Sequence, residues 1–171
     1  MVIPIVAMLS NATTPAVADS KGLAKLRSIP AEIAGWKEDT TRFKAFDGAA
    51  LFSIIDGGAP AYIDAGLIGG CVEELSGPDS ASAEIFMEDF GTAVAASAMF
   101  GKRRGEMSPG DTLPGFKKNE AAAEKVIGGC FACACFGRWY FELSMTGYSR
   151  FEKSYGAAST LLAAFKHHSA R

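Results

Sequence analysis

Histidine is almost missing from this 171-residue chain, with two residues, His167 and His168, side by side near the C-terminus. Neighbours on a helix do not share a face, and a chain end offers little to fix them, so neither suits general acid–base catalysis. A basic surplus is missing as well. The formal net charge of −2 excludes the positive face that a nucleic-acid binder needs. The short runs Lys102-Arg103-Arg104 and Lys117-Lys118 read as solvated loop charges. Beyond the first twenty residues no apolar run is long enough to span a bilayer. Also missing are G-x-S-x-G, the P-loop and the Rossmann fingerprint. These absences leave no standard hydrolase, nucleotide or dinucleotide signature, and neither a metal nor a cofactor set is expected.

Hydrophobic residues make up 49% of the chain, ample for one core at this length. The N-terminus points to a compartment. Val2 to Leu9 is an uninterrupted apolar run, too short for a spanning helix, and Ala16-Val17-Ala18 follows as an A-x-A cleavage pattern. We therefore expect 1–18 to be a signal-peptide remnant, though without a basic n-region, and 19–171 to be a single domain. The expected location is the periplasm or cell envelope, with a cytoplasmic protein carrying an apolar tail as the alternative.

The organising stretch is Leu51 to Gly66, LFSIIDGGAPAYIDAG. Leu51, Ile54 and Ile55 recur at helical spacing before Asp56-Gly57-Gly58, and Ala59, Tyr62 and Ile63 recur after it. The pattern predicts a broken helix, with Asp47 capping its start, Asp56 capping the restart and Pro60 in the second segment's first turn. Leu67–Leu75 and Ser82–Phe90 read as a hairpin with one wet face. A helix opens at Gly91-Thr92, with Val94, Ala95, Ala98 and Met99 on one side and Gly101 as its stop. Gly105 to Lys118 reads as one long loop. Ala123–Phe136 and Trp139–Met145 form a second hairpin about Gly137-Arg138. A closing helix from Phe151 to His168 buries Tyr155, Ala158, Leu161, Leu162 and Phe165. The expected fold is α+β: an antiparallel sheet built from two hairpins, with helices packed mainly on one face.

Two stretches carry a resemblance: Pro30-x-x-Ile33-x-Gly35-Trp36, and Leu51-Phe52-x-x-Ile55-Asp56-Gly57-Gly58-Ala59-x-x-Tyr62-x-x-x-Gly66. With Met87-Glu88-Asp89-Phe90-Gly91-Thr92, they resemble an uncharacterised bacterial domain family of unknown function, often exported. The resemblance covers Ile29 to Gly105 and the C-terminal hairpin loosely. It departs from the family at Ala95-Ala96-Ser97, where many members carry Ala-Phe-Gly. It implies a fold and a compartment, not a mechanism.

Three constellations can carry chemistry. Asp56, Gly57, Gly58 and Tyr62, with Asp64 nearby, can line one pocket if the helix bends. The competing account has Asp56 as a cap, Tyr62 packed with its hydroxyl at the rim and Asp64 solvated. Cys130, Cys133 and Cys135 lie in a strand-like run where period 2 sends Cys133 and Cys135 to one face and Cys130 to the other. With Cys71 they read as buried, unpaired apolar residues rather than zinc ligands or a redox pair. The histidine pair is the third.

From residues alone the preferred reading is an exported module that binds a small molecule or an envelope protein without chemistry. A hydrolase using Asp56 with Tyr62 near the 105–118 loop is the alternative. An interaction domain working through a sheet edge is a third class.

Overall fold

The structure, a computed structural model, describes residues 33, 35–55, 57–107 and 110–169. The expected signal remnant and Asp56 lie outside them. The first strands are short: β1 is Lys37–Glu38 and β2 is Lys44–Asp47. A 3-10 turn at Ala50–Ser53 and helix α1, Ala59–Asp64, follow. Then come β3 (Gly69–Ser76), β4 (Ser82–Asp89), α2 (Ala93–Glu106), β5 (Ala121–Val126), β6 (Gly129–Phe136), β7 (Trp139–Thr146) and α3 (Phe151–Ser169).

The strands form one seven-stranded antiparallel sheet in the order β1-β3-β4-β7-β6-β5, with β2 also pairing β3. The expected β3–β4 hairpin is present, but the sheet is not two hairpins. Its C-terminal part is a three-stranded meander, because Ile127-Gly128 breaks the run that reads as one strand from Ala123. Gly128 (φ +76°) and Gly137 (φ +59°) supply the left-handed backbone that the two tight turns need. The sheet's two parts are joined by β4 and β7, paired along their full lengths from Ser82↔Thr146 to Asp89↔Trp139.

Helices cover both faces rather than mainly one. On one face, Leu161, Leu162 and Phe165 of α3 pack on Ile85, Met87, Phe141 and Leu143, with the Phe141 and Phe165 ring centroids 5.3 Å apart. On the other, Ala96, Met99 and Phe100 of α2 join Phe46, Tyr62, Cys133 and Tyr140 in a second core. Alternation along β7 produces the split: Tyr140 faces α2 while Phe141 faces α3. A second helix on that face is also why β4 lacks the expected wet side at its end. On that face Glu84 is exposed, whereas Glu88 is buried.

Helix α2 departs from its sequence reading. Thr92 caps it, accepting from the Ala95 N–H at 3.2 Å, as expected for its opening. It then runs through Gly101 to Glu106, and Val94 is 81% exposed. A helical glycine costs only about 1 kcal/mol relative to alanine, which burial of Met99 and Phe100 offsets. The run Lys102-Arg103-Arg104 is therefore helical, not loop. The broken helix is confirmed in outline. Asp47 accepts from the Ala50 N–H at 2.8 Å at its start, while Gly58, not Asp56, occupies the N-cap of α1. Pro60 sits in the first turn.

Candidate functional site

The α2-facing side of the sheet carries acids where a core would ordinarily be apolar. On β4, Glu88 stands between Gly70 on β3 and Tyr140 on β7. Gly70 leaves this place open to neighbours: a Cβ there would meet the Phe46 ring at 2.9 Å and the Met87 carbonyl oxygen at 2.3 Å. Two residues along β7 from Tyr140 is Glu142, on the same face. Tyr62 and Tyr140 both donate their hydroxyls to Glu142 Oε1, at 2.7 and 2.8 Å. Arg103 Nε lies 3.3 Å from that same oxygen, and its Nη1 donates to Glu106 at 3.1 Å. The guanidinium also covers the Phe131 ring at 4.6 Å.

Burial and charge act together here. Glu88 is 1% exposed, and its Oε2 has no hydrogen-bond partner among the described residues. Burial first, and Glu142 second, push its carboxyl well above the ordinary range, so it is held as a neutral acid. Tyr62 and Tyr140 are likewise pushed up by burial and then by the Glu142 charge, which fixes both as donors. Burial works against the charge on Arg103, but Glu142 and Glu106 outweigh it and raise its pKa. The result is one carboxylate held by two hydroxyls and a guanidinium, with a protonated carboxyl behind it.

In front of this network lies a half-open pocket of about 350 Å³. Tyr62 and Glu142 line it with Ile55, Gly58 and Ala61 from the broken helix and Met99, Lys102, Arg103 and Glu106 from α2. A neighbouring concavity of about 310 Å³ on the same face is lined by Thr41, Arg42, Lys44, Ile54, Glu74 and Glu84, among others. Its Arg42–Glu74 pair (2.8 Å) is largely exposed, so the structure offers little there to orient a ligand.

Of the residues singled out in the sequence, Gly58 and Tyr62 reach the pocket. Tyr62 does not leave its hydroxyl at a rim; it is 9% exposed and bonded to β7. Gly57 and Asp64 are exposed, and Asp56 lies outside the described residues. The 105–118 stretch supplies Glu106. Sequence reasoning missed Glu88, Arg103, Tyr140 and Glu142. The glutamates sit at alternating strand positions that look solvent-facing, and Arg103 sits in a run that looks like loop. The cysteines follow their period: Cys71 and Cys130 join the α3-side core, Cys133 and Cys135 the other, and no disulfide joins any of the four. No group of three or more His, Cys, Asp or Glu among the described residues is placed to hold a metal. No helix among them is long and apolar enough to cross a membrane.

No protein-family model matches the chain, and no curated protein matches it in sequence. Among solved structures the chain is similar to the extracellular domain of PknH from Mycobacterium tuberculosis. The TM-score is 0.53 at 10% identity, over 92% of this chain and 99% of that domain. At that identity the likeness is one of fold: the chain shares its architecture with an extracellular domain.

Proposed function

We propose that this protein is an exported ligand-binding module of the periplasm or cell envelope, with its site in the pocket between α2 and the broken helix. The observation that carries the reading is the arrangement around Glu142: side chains of α1, α2 and β7 converge on one carboxylate beside a concavity, and an acid is buried behind it. Maintaining such a network inside a core costs desolvation that an apolar side chain of similar size would avoid. Polar groups set into an otherwise apolar pocket are what orient a small ligand. The A-x-A pattern at Ala16–Ala18 and the fold shared with an extracellular domain support export.

The test is a fragment screen by protein-observed NMR on the labelled chain. Binders should shift the amides of 55–62 and 99–106 and lose their effect in Tyr62→Phe. Binders that cluster elsewhere would overturn the reading. Export is checked by N-terminal sequencing of the mature protein, which should begin at Asp19; an intact Met1 in a cytosolic fraction would refute it.

A second reading, a hydrolase, is favoured by one observation. Two carboxyl groups in one network, one neutral and one ion-paired, are how acid and base roles are separated at a catalytic centre. Tyr62 belongs to that centre. Turnover of any ester, amide or glycoside that is abolished in Glu142→Gln would establish it.

A further inference from the structure

We propose that the pocket takes a small zwitterion of amino-acid or dipeptide size, its ammonium on Glu142 and its carboxylate on Lys102. The inference rests on the ligand-binding reading above and names the ligand class for the same site.

Charge placement is the first argument. Two acids, Glu106 and Glu142, and two cations, Lys102 and Arg103, line the pocket, so its formal charge is zero while both signs are present. Arg103 is committed, held between Glu142 and Glu106. Lys102 makes no ion pair among the described residues and stands exposed at the rim. At the floor, the hydroxyls of Tyr62 and Tyr140 and the Arg103 contact all fall on Oε1 of Glu142. Oε2 accepts no hydrogen bond among the described residues and is the acceptor offered to a ligand donor. The Tyr62 oxygen, whose hydrogen is bonded to Glu142, retains lone pairs for a second N–H. An ammonium at the floor and a carboxylate at the rim thus meet groups that the protein itself has not consumed.

Size and wall chemistry narrow the class. A volume of about 350 Å³ is at the small end of ligand sites. The wall between the charges is aliphatic, from Ile55, Ala61 and Met99. A sugar would be served better by an exposed aromatic face, and the pocket's aromatic residue, Tyr62, is 9% exposed.

The experiment titrates the folded chain with L-leucine, N-acetyl-L-leucine, L-leucinamide and glucose, followed by NMR shifts of the pocket amides. Leucine should bind about tenfold or more tightly than either blocked form, each of which lacks one charge. Lys102→Gln, a surface change that folding tolerates, should weaken leucine several-fold and leave leucinamide unchanged. Equal binding of a blocked form, preference for glucose, or no effect of Lys102→Gln would overturn the zwitterion. If none of the four probes binds, the ligand class is wrong. Unrelated fragments still landing at 55–62 and 99–106 would then leave the binding-module reading standing.

Discussion

Glu88 and Tyr140 stand directly opposite one another on β4 and β7, yet the tyrosine hydroxyl passes Glu88 by and donates to Glu142, on its own strand, at 2.8 Å. Tyr62 reaches the same oxygen from α1, across 80 residues of sequence. One acceptor atom therefore ties the broken helix to the sheet, and the acid facing Tyr140 keeps its Oε2 without a hydrogen-bond partner among the described residues.

Two donors on one oxygen should not act independently. Tyr62→Phe and Tyr140→Phe each delete one hydroxyl bond to a charged acceptor, and each should cost about 1–3 kcal/mol. Either single variant leaves Glu142 one hydroxyl and Arg103, whereas the double variant leaves it Arg103 alone. Urea unfolding of the double variant should therefore show a loss exceeding the sum of the singles by about 0.5–1 kcal/mol. Strict additivity would mean the two bonds are not shared in solution.

The buried acid predicts a pH dependence. Glu88 faces Tyr140 across the β4–β7 pair and feels Glu142 on β7 and Tyr62 on α1, with Arg103 of α2 held on Glu142. Its folded pKa lies above its unfolded one, so the folded state holds the extra proton. Stability from this group is fully present below the unfolded carboxylate pKa, near about 4.3, and falls as pH rises until Glu88 itself ionises. The limiting slope for one proton is about 1.4 kcal/mol per pH unit. Melts of Glu88→Gln from pH 5 to 9 should be flatter than those of the parent protein. Parallel curves would show that Glu88 is not the proton carrier.

Much of the fold was legible because its signals are local. The α3 stripe from Tyr155 to Phe165 and the glycine at the Gly137-Arg138 turn each specify their element within a few residues. The candidate site was not, because it depends on what covers a face. Glu88 and Glu142 alternate with apolar residues just as Glu84 and Ser144 do, and the latter pair is exposed. What separates the two pairs is α2 and α1 lying over one end of the sheet, a fact of tertiary packing that no strand period contains. Within α2, the apolar spacing put Val94 on the side of Met99, a face rotated from the buried one, and taking Gly101 as a stop left Arg103 in a loop.

That rotation is directly testable. Val94→Lys should change stability by no more than about 0.5 kcal/mol, as for an open surface position. Met99→Ala, at a 3% exposed site, should cost about 2–5 kcal/mol. Chemical denaturation of the two variants decides between the faces, and the reverse order would restore Val94 to the core.

The thiols should form no disulfide and react slowly. Cys71 on β3 and Cys130 on β6 share a face, but β4 and β7 lie between their strands, about 14 Å at the usual spacing. Cys133 and Cys135 sit two residues apart on one strand, about 6.5 Å along it, beyond disulfide reach. Burial pushes the Cys133 thiol up to about 12 and that of Cys135 up to about 11. With both thiols raised, little thiolate is present near neutral pH, so native alkylation should be slow, with half-exposed Cys135 first. Unreduced, denatured protein should gain four adducts by mass; two would reveal a disulfide.

The pairing of β4 with β7 has a consequence for how the chain becomes a folded object. Its eight cross-strand pairs join residues 82–89 to residues 139–146, so the middle of the sheet is closed by contacts far apart in sequence, whose loop closure costs entropy. Neither the β3–β4 hairpin nor the β5–β7 meander owns a complete hydrophobic layer: Ile85 and Met87 lie in the same core as Phe141 and Leu143. A chain severed in the crossing between α2 and β5 would leave each fragment with a bare eight-residue margin, complementary only to the other. Such halves are suited to fold by reassociation and poorly suited to fold apart.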